Sequence, residues 1–150
     1  MIQQCRPIME QARDFARQQD DMVSIPFYGQ IAGGQPLLIE DYLGETVGVP
    51  RDILIGRDHY FAVRVMGDSM EGAGIHHQDV IILRVQNTAE NGQIAAVNYH
   101  GEATLKRVYH RGDIIELHPC NPSHQMISLP AREVKIQGLF IKVLDMAASA

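Results

Sequence analysis

A serine and a lysine are the residues of this sequence whose setting is typical of covalent catalysis. Ser69 lies in the turn-like segment 67–70, directly after a short apolar stretch, and Lys106 lies inside another apolar stretch, 103–108. A serine hydroxyl is a weak nucleophile at neutral pH and needs an adjacent base. A lysine can be that base only when it is neutral, and burial favours the neutral form because desolvation penalises the ammonium ion. The pair is therefore a candidate for the nucleophile and the general base of a hydrolytic site.

The segment 67–70 could also stabilise the negative charge that develops in such a reaction. A turn can aim backbone N–H groups at an oxyanion, and the N–H of Met70 is our candidate donor. Thr104 and Val108 share the strand face of Lys106 and supply no carboxylate, which is consistent with a neutral lysine. Residue types alone are also compatible with two residues that have no catalytic role, because Gly-Asp-Ser is an ordinary turn tripeptide and most lysines in strands point to solvent.

The elements that must position this pair are predicted to be short β-strands. After residue 22, apolar runs alternate with glycine, proline and Asn-Gly turn signals at intervals of about 8 to 12 residues. This pattern predicts a mainly antiparallel β domain. Pro26 indicates that 23–31 is an edge strand or an extended segment, and Gly138 indicates a bend in the last strand. The other predicted strands are 60–66, 79–85, 93–99, 103–108, 114–117 and 135–144.

Residues 1–22 have a different pattern. Apolar residues from Ile8 onward recur at the i, i+4, i+7 spacing, which predicts one short amphipathic helix over about 7–19. A helix-turn-helix needs at least two packed helices, so this segment is too short to be one. We therefore divide the chain into an N-terminal helix or linker, 1–22, without a complete DNA-binding domain, and a β domain, 23–150.

Composition excludes several classes of function. The chain has 150 residues, of which 45% are hydrophobic and 21% charged, as expected for one globular domain. Its net charge of −5 argues against this chain alone binding nucleic acid, which requires clustered basic residues. No apolar run approaches the roughly 18 residues of a membrane span, and no apolar signal core begins the chain. With only Cys5 and Cys120, no disulfide framework is expected, and a cytoplasmic location fits best.

The seven histidines raise the question of a metal site. They show neither the helical i, i+4 pairing nor the Cys-x-x-Cys partner that is typical of metal ligands. We therefore expect no metal and no other cofactor.

Several segments in combination resemble the LexA/UmuD-type self-cleaving serine peptidases. The likeness covers roughly residues 24–145, and its central part is Val-Met-Gly-Asp-Ser-Met at 65–70. Two departures from the family pattern are Gln78, where many relatives have glycine, and Gly72, near which some have proline. The segments that carry the resemblance are the catalytic segment at 65–70, 74–75 and 79–82, the lysine hairpin at 91–97 and 103–107, and the following loop at 116–122.

The resemblance implies a fold, a reaction and a substrate. The fold is a mainly β domain of strongly bent antiparallel sheets of the LexA/signal-peptidase type. Ser69 corresponds to the nucleophile and Lys106 to its general base. The family cuts its own chain at an Ala–Gly or Cys–Gly bond, and Ala32-Gly33 matches, which implies a cleavage loop over about 28–38. Gly33–Gly34 is the alternative register, and a plain glycine turn is the alternative interpretation of this stretch.

The resemblance also implies partners. Relatives form homodimers through C-terminal strands, here 138–144, and a RecA-type filament on single-stranded DNA stimulates cleavage. An activator of this kind would bias a loop that exchanges between docked and undocked states. LexA-like repressors carry a winged helix-turn-helix ahead of the cleavage loop, so contact with DNA would require a domain absent from this chain.

More than one function remains open at this point. The segment 31–38 is closer to the repressor branch, which predicts part of a LexA-like transcriptional repressor in the DNA-damage (SOS) response. The alternatives are a UmuD-like accessory protein of a translesion polymerase and a dimerisation module of the same fold that does not cut. A signal-peptidase-like enzyme that acts in trans is disfavoured, because no membrane anchor is evident.

Overall fold

The computed structural model describes residues 21–32, 44–55 and 58–144, and these residues form a mainly β domain, as predicted. Three short 3₁₀ helices interrupt the strands, and no α-helix occurs within the described ranges. The helix predicted over 7–19 lies outside them. The strands are β1 (Met22–Ile31), β2 (Thr46–Pro50), β3 (Tyr60–Val65), β4 (Val80–Val85), β5 (Ile94–Tyr99), β6 (Glu102–Arg111), β7 (Ile114–His118), β8 (Ile127–Pro130) and β9 (Val134–Leu144), and the 3₁₀ helices are Arg51–Ile53, Glu71–Ala73 and Ala131–Glu133.

The nine strands form one mixed sheet in the order β2-β1-β3-β4-β9-β5-β6-β7-β8. All neighbouring strands are antiparallel except β1 and β3, which run parallel. The prediction of a mainly antiparallel β domain is therefore confirmed, with this pair as the one exception among the described strands. A parallel pair needs a long connection between its strands, and here the chain that contains β2 separates β1 from β3 in sequence.

Of the two alternatives predicted for the segment around Pro26, an edge strand and an extended segment, the edge strand is wrong, because β1 is an extended strand that lies between two others. β1 pairs with β2 over Met22–Pro26 and with β3 over Phe27–Ile31. Pro26 thus lies where the strand passes from one partner to the other. A residue without an N–H group is tolerated at such a point, since no continuous ladder depends on it there.

The core is divided between the two faces of the sheet. β3 shows the reason, since Tyr60–Val63 are all buried and successive side chains point to opposite faces. Phe61 and Val63 pack in one apolar cluster, and Tyr60 and Ala62 pack in another. A strand that is buried on both faces has a continuous run of apolar residues in its sequence. Such runs mark β3 and β4 in the sequence.

The bend predicted at Gly138 coincides with an irregularity of the sheet. Ala96 pairs with Gly138 while Val97 pairs with Ile136, so Gln137 is an extra residue in β9. The glycine itself is required by close packing, because a Cβ atom at position 138 would lie 2.9 Å from ring atoms of Phe61. β8 was not predicted; it has four residues and ends in proline.

Candidate active site

Ser69 is presented by a turn whose ends are held by the core. β3 ends at Val65, and the chain reverses through Gly67, whose φ of 105° is a conformation that glycine adopts without strain. Directly after the serine, the side chain of Met70 is 1% exposed and packs in the same apolar cluster as Phe61. The buried methionine anchors the turn, so the serine is kept at its surface.

Lys106 is buried in the middle of β6, where it pairs with Ala95 of β5. It is 8% exposed and is the one buried charged residue in the part of the chain that the structure describes. Burial lowers the pKa of its amine from 10.5 to about 8, and the nearby Cys120 opposes this shift. A substantial fraction of Lys106 is therefore neutral in mildly alkaline solution, as a general base requires.

The structure brings the predicted nucleophile and base together. The Lys106 Nζ atom lies 3.1 Å from Ser69 Oγ, 2.6 Å from Thr104 Oγ1 and 3.2 Å from the Leu105 carbonyl oxygen. An ammonium group has three N–H donors and no acceptor, so the charged lysine donates to all three oxygens. A neutral amine has a lone pair, which can accept the hydroxyl proton of Ser69. The same three atoms can therefore serve both protonation states.

A cavity of about 310 Å³ opens on this pair. Ala32, the last described residue before the gap at 33–43, lines it together with Ser69 and Lys106. The Met66 N–H donates to the Ile31 carbonyl oxygen at 3.1 Å, which ties the end of β1 to the turn that presents the serine. The predicted cleavage site is thus adjacent to the candidate dyad on its Ala32 side, whereas Gly33 lies outside the described residues.

Backbone donors for an oxyanion are present in the same turn. The N–H groups of Glu71 and Gly72 donate to the carbonyl oxygens of Asp68 and Cys120. Within the described residues, the N–H groups of Ser69 and Met70 donate no such bond. The predicted donor, Met70, therefore has an N–H group that is available.

Sequence reasoning identified the loop that follows β7 but missed its contacts with the serine turn. The N–H of Cys120 donates to the Ser69 carbonyl oxygen at 2.7 Å, and His124 Nε2 lies 2.6 Å from Asp68 Oδ1. Asp68 and His124 are 56 positions apart in the chain, so no local pattern could have paired them. Thr104 carried a signal, because it shares a strand face with Lys106, but no role followed from that alone.

Neither a metal site nor a membrane span is found within the described ranges. No group of three or more His, Cys, Asp or Glu side chains there could hold a metal ion. The described segments also contain no long apolar helix of the kind that crosses a bilayer.

The chain belongs to the Peptidase S24-like family, whose domain is recognised over residues 26–141. The resemblance to this class of peptidases is thereby confirmed. The LexA repressor of Thermosipho africanus is 40% identical over 124 residues, which cover 83% of this chain and 63% of the relative. The LexA repressor of Syntrophobacter fumaroxidans is 42% identical over 122 residues, which cover 81% of this chain and 58% of the relative. The LexA repressor of Cereibacter sphaeroides is 40% identical over 124 residues, which cover 81% of this chain and 54% of the relative. The chain thus spans somewhat more than half the length of these relatives.

Proposed function

We propose that this chain is a serine/lysine autopeptidase that cuts its own Ala32–Gly33 bond. The observation that carries the proposal is the 3.1 Å approach of Ser69 Oγ to Lys106 Nζ, in a cavity that Ala32 also lines. The nucleophile, its base and one side of the scissile bond are therefore adjacent.

The chemistry follows from these atoms. Neutral Lys106 accepts the hydroxyl proton of Ser69 while Oγ attacks the carbonyl carbon of Ala32. The resulting oxyanion is stabilised by backbone N–H donors of the turn, Met70 among them. Collapse breaks the C–N bond, and Lys106 returns the proton to the amine of Gly33, leaving an ester between Ser69 and Ala32. A water molecule that gives its proton to Lys106 then hydrolyses the ester and regenerates the serine.

Attack within one chain has a physical advantage. The parallel pairing of β1 with β3 directs Ala32 towards the turn that follows β3. A substrate held next to its nucleophile avoids the entropic cost of bimolecular encounter, which can contribute about 7–11 kcal/mol to lowering a barrier. A buried base with a pKa only moderately below that of free lysine therefore suffices for a slow, single-turnover reaction.

The biological setting is proposed from the relatives, which are named LexA repressors. We place the chain in transcriptional repression within the DNA-damage response, in the cytoplasm, with a RecA-type nucleoprotein filament as activator. Contact with DNA would come from a domain other than the one described.

A homodimer is also part of the proposal. β4 pairs with β9 over Gly138–Leu144, whereas β5 pairs with β9 only as far as Leu139. Among the described residues, no strand other than β4 pairs with β9 beyond Leu139, and an unpaired strand edge offers backbone donors and acceptors to a strand from a second copy. This supports the predicted dimer contact over 138–144.

Incubation at raised pH tests the peptidase proposal. Wild-type protein is compared with Ser69→Ala and with Ser128→Ala, which removes an exposed serine of β8. Wild type and Ser128→Ala should split into fragments of 32 and 118 residues (150 − 32 = 118), measured by mass spectrometry, and Ser69→Ala should stay intact. Equal persistence of wild type and Ser69→Ala would contradict the proposal and favour a dimerisation module that does not cut.

A further inference from the structure

The loop that connects β7 to β8 holds the serine turn through a set of hydrogen bonds. We call residues 120–124 the latch loop. The Cys120 N–H donates to the Ser69 carbonyl oxygen at 2.7 Å, and the Cys120 carbonyl accepts from the Gly72 N–H at 2.6 Å. Asn121 Nδ2 donates to the Asp68 carbonyl oxygen at 2.9 Å. The backbone on both sides of Ser69 is thus bound to one loop.

The latch loop is braced internally. The His124 N–H donates to the Asn121 carbonyl oxygen at 3.0 Å. The Ser123 N–H donates to Asn121 Oδ1 at 2.9 Å. Asn121 therefore connects the serine turn to the backbone that carries His124, and the position of the imidazole is coupled to the position of the turn.

His124 closes the arrangement with a side-chain contact. Its Nε2 lies 2.6 Å from Asp68 Oδ1, and the two side chains are 41% and 58% exposed. The hydrogen bond from His124 lowers the pKa of the Asp68 carboxyl. His124 also lines the cavity that contains Ser69 and Lys106. The residue next to the nucleophile is therefore held by a group at the cavity wall.

The other titratable groups around Asp68 are few among the described residues. His77 accepts the Gly67 N–H at 2.9 Å through Nδ1. On the outer side of the turn, His76 Nδ1 lies 4.0 Å from Glu71 Oε1. His124 makes the largest contribution to the environment of the Asp68 carboxyl.

We propose that His124 is a positioning residue for self-cleavage: through Asp68 it holds the Ser69 turn so that Oγ stays within reach of Lys106. This inference rests on the proposed function, because it concerns the rate of that reaction. The Asp68 side chain is one residue from the nucleophile, and Gly67 on its other side provides little rigidity of its own. An exposed contact between a histidine and a carboxylate contributes little to the stability of a fold, so its effect should appear in the orientation of the serine.

A double-mutant cycle tests the inference. Self-cleavage rates are measured across the pH range for wild type, His124→Phe, His124→Gln, Asp68→Ala and the double variant Asp68→Ala/His124→Phe. We expect His124→Phe to be about fivefold slower, as for the loss of an exposed charged hydrogen bond. His124→Gln should recover most of the rate, because its amide can donate to Asp68 Oδ1. The double variant should be no slower than the slower single variant, since the two side chains act through one contact.

A second measurement does not depend on cleavage. In the Ser69→Ala background, the titration of the Asp68 carboxyl is followed by NMR with and without His124→Phe. The pKa of Asp68 should rise towards its ordinary value when His124 is replaced. An unchanged titration, or a glutamine variant as slow as the phenylalanine variant, would overturn the positioning role. Should His124→Phe fail to fold, Asp68→Ala must by itself slow cleavage, and wild-type speed in that variant would also overturn it.

The outcomes separate the two proposals. If wild type does not cut, the proposed function fails and the positioning role fails with it. If wild type cuts and His124→Phe cuts equally fast at every pH, the positioning role alone is wrong.

Discussion

The lysine half and the serine half of the candidate site are held in different ways. Lys106 lies in a central strand, paired through Ala95, and its amine is buried among fixed acceptors. Ser69 lies on a turn that Met70 anchors in the apolar core and that the latch loop holds through hydrogen bonds. The base is therefore part of the sheet, whereas the nucleophile depends on contacts that solvent can reach. Substitutions near the lysine should change chemistry and stability, and substitutions near the serine should change mainly rate.

The largest effect is expected when the base is removed. Lys106→Met keeps the length of the side chain and removes the amine, so the self-cleavage rate should fall by roughly 10²–10⁴-fold. Lys135→Met, at an exposed position of β9, is the matched control and should cleave at the wild-type rate. The measurement is the rate of fragment appearance at alkaline pH. Cleavage by Lys106→Met at a rate near wild type would assign the base to another group.

The pKa of Lys106 predicts both a rate profile and a stability profile. Because its pKa is about 8, the cleavage rate should rise with pH and reach half its plateau near pH 8. The free energy of unfolding should also depend on pH. Below pH 8 the amine is charged in both the folded and the unfolded chain, so burying the charge destabilises the fold to its full extent. Between pH 8 and 10.5 only the unfolded chain binds the proton, and the free energy of unfolding rises with pH.

The size of this stability change follows from the shift in pKa. The gain between pH 8 and 10.5 should be about 3 kcal/mol. The free energy of unfolding is measured with urea for Ser69→Ala and for the double variant Ser69→Ala/Lys106→Met at each pH. The difference between the two variants isolates Lys106, because other groups that titrate at alkaline pH contribute equally to both. A difference that does not change with pH would mean that the lysine is not buried as described.

The sheet that supports the lysine can be perturbed without touching the site. Gly138→Ala places a Cβ atom 2.9 Å from the Phe61 ring, which should cost about 1–3 kcal/mol of the free energy of unfolding. Gly48→Ala is the control, because its Cβ atom would meet only Met22 Cε at 3.6 Å. Denaturant unfolding measures both. Where Gly138→Ala remains folded, the pH midpoint of cleavage should stay near that of wild type, and a displaced midpoint would show that the lysine environment is less rigid than we infer.

The smallest effect is expected at the acceptor beside the lysine. Thr104→Val removes the oxygen that lies 2.6 Å from Lys106 Nζ and that stabilises its charged form. The pKa of Lys106 should therefore fall further, and the pH midpoint of cleavage should move down by about half a unit to one unit. The plateau rate should fall as well, by roughly fivefold, because the amine loses an orienting contact. Thr46→Val, at an exposed position of β2, should leave both quantities unchanged, and an upward move in Thr104→Val would contradict the role of Thr104.

Most of the individual strands could be predicted from the sequence, whereas the pairing of distant strands could not. β3 and β4 carry continuous apolar runs, apolar and polar residues are interspersed in β6, and the bounds of all three agree with the prediction to within a few residues. The parallel pairing of β1 with β3 was not predictable, because it depends on which strand edge is left for β1 after the other strands have paired. Local patterns specify strands, but partners far apart in sequence are chosen by the packing of the whole sheet.

The sequence by itself determined most of the strands, the turn at Gly67 and the two reactive residue types, because periodicity and turn chemistry are local properties. Only the tertiary structure decided that Ser69 and Lys106 are 3.1 Å apart, that the amine is buried enough to lose its proton near pH 8, and that His124 contacts Asp68. Distance and desolvation depend on every element that surrounds a site, so they exist only once the chain has folded.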